Sequence, residues 1–91
     1  MAAGSQLRAL LAKPGAYRRI WLRRVRRDTG ADINQSAIAQ VLADHLWDAG
    51  EVPDSDSELP RRLKDVVNRA LSGSRLTMRT LQLFVDAFAF Y

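Results

Sequence analysis

The amino-acid sequence predicts a small all-α protein, a bundle of four to five helices. The chain has 91 residues, which is enough for one domain. Hydrophobic residues make up 47% of it and recur at spacings of three and four along four segments, as in amphipathic helices. No segment shows the strict alternation of a half-buried strand, and most glycine and proline residues lie at the ends of the helical segments or at a break within the first one.

The first helical segment is predicted over residues 7–27, with a break near Pro14 and Gly15, because proline lacks the backbone N–H that a helix interior needs. Gly30 is the expected stop after an arginine-rich last turn. One face of the second half is apolar and consists of Tyr17, Ile20, Trp21 and Val25.

The second helical segment is predicted over residues 33–49. Asp32 is its expected N-cap, and Gln35 lies three residues further on, as in a capping box. Gly50 and Pro53 are expected to end it, and residues 50–58 form an acidic, turn-rich stretch that predicts a surface loop. The apolar stripe of this segment consists of Ile38, Val41, Leu42, His45 and Leu46.

The third helix is predicted over residues 59–72, with Pro60 in its first turn and Gly73 as its stop, and Thr77 is the expected cap of a fourth. The third apolar face consists of Leu63, Val66, Val67, Ala70 and Leu71. The fourth consists of Met78, Leu81, Phe84, Val85 and Phe88. We interpret residues 1–91 as one domain, with residues 1–15 as an N-terminal segment and residues 16–91 as the core.

Charge is separated along the chain. Residues 1–27 carry eight basic and no acidic side chains, residues 28–60 carry eight acidic and no basic ones, and residues 61–91 carry six basic and two acidic ones. The acidic middle could neutralise the basic ends within the monomer. Alternatively, the basic blocks could form one face for an anionic partner.

The composition argues against an enzyme. The chain has no cysteine, which excludes disulfides and thiolate chemistry and fits a cytoplasmic location. His45 is the only histidine, and Asp44 with Asp48 offers too few oxygen ligands for a convincing metal site. No nucleotide-binding or zinc-protease motif is present. We expect no catalytic residue, no cofactor and no metal.

Two further questions are whether a segment of the chain crosses a membrane and what the arginines of the first helix contact. No apolar run approaches the length that crosses a bilayer, and the N-terminus does not resemble a signal peptide. The arginines of the first helix could be a solvated face, a phosphate-binding face or a face for anionic lipid. Core packing of Trp21 disfavours the lipid interpretation, and the acids around Trp47 disfavour base stacking by that side chain.

Three stretches resemble a known family when taken in order. Residues 35–39 (QSAIA) resemble the Q-x-x-[LI]-A opening of the second helix in Cro-type, phage-repressor-like helix-turn-helix domains. Residues 67–73 (VNRALSG) resemble the end of the recognition helix, and residues 77–87 resemble the helix after it. The resemblance covers residues 17–90 and implies a helix-turn-helix-like bundle. The link between the second and third helices is much longer than the family's tight turn.

The resemblance assigns DNA contacts to particular residues. Gln35 would touch a phosphate at the start of the second helix, and Arg75 would add another phosphate contact. The third helix would enter the major groove, where arginine matches guanine and asparagine matches adenine. Its candidates for base or groove contact are Arg61, Arg62, Lys64, Asn68 and Arg69. The first basic block adds Arg23 and Arg27 as expected phosphate contacts.

The leading functional prediction is sequence-specific binding of double-stranded DNA, as a transcriptional regulator or as the DNA-binding part of a larger protein. The alternative is a helical module for protein interaction or self-assembly, with the same fold but no DNA binding. Phe88, Phe90 and Tyr91 place apolar side chains at the end of the sequence. We expect a second copy, a protein partner or a further segment to cover them, unless Phe90 folds back onto the first helix.

Overall fold

The protein is all-α. The computed structural model describes residues 2–13, 15–26, 33–72 and 76–88, with side chains from Gln6 onward. The helices within this part are α1 (Ala2–Ala12), α2 (Ala16–Leu22), α3 (Gln35–Asp48), α4 (Leu59–Leu71) and α5 (Met78–Phe88). The described residues contain no strand, so the predicted all-α class is confirmed.

Helix α3 is the centre of the bundle and contacts α2, α4 and α5. Small side chains on α3 allow the neighbouring helices to approach closely, and the larger ones fill the space between them. The buried positions of α3 are Ala37, Ile38, Ala39, Val41, Leu42 and Ala43. The predicted stripe contains three of these six residues, Ile38, Val41 and Leu42, and omits the three alanines. Its other members, His45 and Leu46, are only partly buried.

Helix α1 belongs to the same core. Leu7 and Leu11 are 3% and 0% exposed, and α1 contacts both α2 and α4. The indole Nε1 of Trp21, on α2, donates a hydrogen bond of 2.8 Å to the carbonyl of Leu11. The division into an N-terminal segment 1–15 and a core 16–91 is therefore wrong, because the N-terminal helix supplies core side chains.

Helix α2 ends at Leu22, earlier than the predicted residue 27. The guanidinium of Arg24 turns back onto the helix: Nη1 donates 2.8 Å to the carbonyl of Ile20, and Nε contacts Asp44 at 2.9 Å. A side chain that bonds a last-turn carbonyl satisfies a group that the helix end leaves open. The predicted stop at Gly30 lies outside the described residues.

The ends of α3 show one correction and one confirmation. Its N-cap is Asn34, whose extended backbone lets the side-chain oxygen accept from the Ala37 N–H at 3.0 Å. Asp32, the predicted cap, is outside the described residues, and the helix begins too late for it. Gly50 ends α3 as predicted: at φ 73° it allows the Glu51 N–H to bond the Leu46 carbonyl at 3.0 Å.

The bounds of α4 and the start of α5 follow the sequence prediction closely. Pro60 lies in the first turn of α4, and Thr77 accepts a bond of 3.1 Å from the Thr80 N–H at the start of α5. The predicted core face of α5 is only partly confirmed: Phe84 and Phe88 are buried, Leu81 and Val85 are partly exposed, and Met78 is 81% exposed. It is the first residue of α5, and this helix meets the core further along, where Phe84 and Phe88 stack with ring centroids 6.2 Å apart. None of the helices described is long and apolar enough to cross a membrane.

Candidate nucleic-acid interface

A groove of about 790 Å³ opens beside the first turn of α3. Helix α1, the segment after α2, the start of α3 and the start of α4 all contribute to it. Its described lining includes five basic side chains and no acidic one. These basic side chains are Arg8, Arg24, Arg26, Arg61 and Lys64.

The start of α3 adds to the positive potential of this groove. Asn34, Gln35 and Ser36 line it, and the N-terminus of a helix carries a partial positive charge from its aligned peptide dipoles. The dipole and the basic side chains therefore have the same sign. The groove suits an anion.

Helix α4 presents its polar residues on two adjacent sides. Arg61, Lys64 and Asn68 fall within one narrow sector of the helix, at spacings of three and four residues, and all three are exposed. On this side the Gln35 Nε2 donates to the Asn68 Oδ1 at 3.0 Å. The structure thus brings together four residues that the sequence analysis had singled out, and we call this the groove side of α4.

The other side of α4 is held in ion pairs. Arg62 pairs with Asp56 in the acidic loop, and Arg69 pairs with Asp65 one turn earlier at 3.0 Å. The hydrogen bond from Arg62 holds the pKa of Asp56 below its ordinary value, and the same contact raises the pKa of Arg62. We call this the paired side; it contains two of the five predicted base or groove contacts.

Sequence reasoning missed three of the basic residues in the groove. Arg8 and Arg26 are exposed, whereas Arg24 is fixed by Asp44, whose second oxygen accepts 2.9 Å from Gln40. The charge block of residues 1–27 contained all three arginines. Their convergence could not be predicted, because it depends on how α1 packs against α4.

Several predicted contacts lie elsewhere. Arg23 is exposed at the C-cap of α2 and outside the groove lining. Phe88 is 1% exposed, which corrects its assignment as a dimer or partner contact, since its ring packs within the chain's own core. Arg27, Arg75, Phe90 and Tyr91 lie outside the described residues.

The described residues offer no group of three or more metal-binding side chains. Asp44, one of the two carboxylates considered for a metal, is bonded through both oxygens to Arg24 and Gln40. Trp47 is partly buried, and its indole N–H has no hydrogen-bond partner among the described residues. The cavity that it lines contains Asp54 and Glu58 together with Arg26 and Arg61.

Comparison of the chain with known protein families, with curated proteins and with solved structures found no match. The helix-turn-helix resemblance therefore stays a prediction that rests on the three sequence stretches.

Proposed function

We propose that this chain is a binding module for double-stranded DNA, acting as a transcriptional regulator or as the DNA-binding part of a larger protein. The observation that carries the proposal is the groove at the start of α3, with its five basic side chains and no acid in the described lining. Polyanionic DNA is the ligand class that a basic surface of this extent fits best.

The residues on the groove side of α4 suit two tasks in DNA binding. Some are suited to contact phosphates and position the protein, and one is suited to contact a base and read the sequence. Arg61 and Lys64 carry positive charge, which a phosphate attracts. The planar guanidinium of Arg61 can also donate two parallel hydrogen bonds to a phosphate or to guanine. Asn68 carries the amide that matches adenine in the major groove. The bond from Gln35 holds this amide in one orientation before DNA arrives.

The major groove of B-DNA is about 12 Å wide and admits one α-helix. Helix α4 has an exposed polar face that runs from Arg61 to Arg69, and its apolar face is buried against the rest of the bundle. Helix α4 can therefore enter the major groove of DNA without exposing the core residues on its apolar face. Arg8 and Arg26 would then contact the phosphates beside it.

Salt-dependent binding to a fluorescent random-sequence duplex tests the proposal. Affinity is expected to fall with salt along a log–log line whose slope approaches about −2.7, if Arg8, Arg26 and Lys64 each neutralise one phosphate. Lys64→Ala should reduce the magnitude of that slope by about 0.9. Arg79→Ala is the matched control, because Arg79 is an exposed cation on α5 outside the groove lining.

Absence of binding at low salt would reject the DNA proposal. Equal losses for Lys64→Ala and Arg79→Ala would show instead that binding depends on net charge and does not use the groove. The first result would favour the alternative function, a helical module for protein interaction or self-assembly through its separate acidic and basic surfaces.

A further inference from the structure

The acidic loop, residues 50–58, places two carboxylates on the first turn of α4. Asp56 pairs with Arg62, and Glu58 lies 3.6 Å from Arg61. The two arginines are 58% and 85% exposed, respectively. They are therefore within reach of a ligand as well as of the loop.

The loop is held in place at several points. The Asp56 N–H bonds the Pro53 carbonyl at 3.0 Å, and the Leu59 N–H contacts the Asp56 carbonyl at 3.4 Å. Leu59 is buried, and Val52 packs against the core from the other end of the loop. These contacts fix the backbone that carries the carboxylates, so that the ion pairs form without ordering a flexible chain.

The loop also borders the basic groove. A second cavity, of about 600 Å³, is lined by Asp54 and Glu58 of the loop together with Arg26 and Arg61. These two arginines line the basic groove as well. The acidic loop and the groove therefore meet at the same pair of cations.

We propose that the acidic loop is an autoinhibitory element that competes with DNA phosphates for Arg61 and Arg62. This inference rests on the proposed DNA-binding function. A phosphate that binds these guanidinium groups competes with Asp56 and Glu58, and Asp54 and Glu58 repel it at the junction with the groove. The loop therefore weakens binding to every duplex, whatever its sequence.

The test is DNA binding by the double variant Asp56→Asn and Glu58→Gln, with a control that changes the net charge equally. The control is Asp48→Asn with Glu51→Gln, two exposed acids at the end of α3 and the start of the loop. The affinity of the D56N/E58Q variant for a random-sequence duplex is expected to rise about five- to tenfold, and that of the control about twofold or less. The slope of affinity against salt should steepen by up to about 1.8 as two arginines become available to phosphates.

The outcomes separate the two proposals. A larger gain for D56N/E58Q than for the control supports the autoinhibitory loop, and so does binding that appears only in that variant. Equal gains, or none, in the presence of wild-type binding overturn the loop inference and leave the DNA proposal standing. No binding by any of the three proteins overturns both.

Folding of the variant is checked by circular dichroism. If the double variant unfolds, Glu58→Gln alone replaces it, because this change removes the Arg61 contact and leaves the Asp56–Arg62 pair intact. Glu51→Gln is then the matched control, and a gain no larger than the control's contradicts the inference.

Discussion

At the scale of single residues, the two tryptophans have opposite environments. Trp21 is 2% exposed, donates its indole N–H to the Leu11 carbonyl and lies under the guanidinium of Arg18, 5.0 Å from the ring centroid. The indole N–H of Trp47 is buried, and no residue in the described part of the chain accepts a hydrogen bond from it. A buried donor without an acceptor opposes folding, whereas a bonded one does not.

The tryptophan pair gives a first prediction for stability. Trp21→Phe removes a bond between α1 and α2 and leaves a cavity, so the free energy of unfolding should fall by about 2–3 kcal/mol. Trp47→Phe removes an unpartnered donor and should change it by less than about 1 kcal/mol. Urea denaturation followed by circular dichroism measures both, and equal losses would contradict the assigned environments.

The Asp56–Arg62 pair gives a second prediction, on pH. The pKa of Asp56 is lowered in the folded protein from its ordinary value of 3.8 by the hydrogen bond from Arg62. The stabilising contribution is therefore fully present above pH 3.8 and is lost as the pH falls through the lowered pKa. Thermal unfolding across this acidic range should show less acid sensitivity for Asp56→Asn than for the wild type. A variant that follows the wild-type pH profile would show that this pair does not contribute.

At the scale of helices, the sequence predicts interiors better than ends. The apolar spacing of α3 and α4 identified most of their buried residues because helical periodicity directly reflects which face is covered. The end of α2 and the N-cap of α3 were misplaced, since they depend on two side-chain bonds, from Arg24 to Ile20 and from Ala37 to Asn34. Several polar side chains near a helix end can form such a bond, and the tertiary structure determines which of them does.

The two sides of α4 give a third prediction. Asn68→Ala on the groove side should change sequence preference, at a cost of about 1–3 kcal/mol at a preferred duplex. Arg69→Ala on the paired side should leave that preference unchanged, because Asp65 already engages this guanidinium. Selection of bound duplexes from a random pool compares the preferences of the two variants. If only Arg69→Ala changed the sequence preference, the paired side of α4 and not the groove side would read the bases.

At the scale of the whole molecule, α1 connects the fold to the groove. It places Leu7 and Leu11 in the core and Arg8 on the groove lining. From charge and from the family resemblance, sequence analysis predicted DNA contacts for four residues that the structure brings together. They are Gln35, Arg61, Lys64 and Asn68. Sequence analysis could not predict Arg8, because the position of this side chain depends on the packing of α1 against α4.

The role of α1 gives a fourth prediction. Deleting residues 1–13 opens the core at Leu7 and Leu11, and truncating buried leucines costs about 2–5 kcal/mol each, a large fraction of a small domain's stability. We expect a chain that starts at Pro14 to be unfolded or molten by circular dichroism and proton NMR. Arg8→Ala is the control, which should keep the fold and weaken DNA binding only. A cooperatively folded truncation would contradict the assignment of α1 to the core.

The positions of the two indoles also give the molecule a pair of intrinsic optical reporters. Trp21 is 2% exposed, so its fluorescence follows global unfolding. Trp47 lines the cavity shared by the acidic loop and the arginines of the groove, so its emission is sensitive to displacement of the loop. A protein in which Phe replaces Trp21 therefore reports loop movement during a DNA titration without an attached dye.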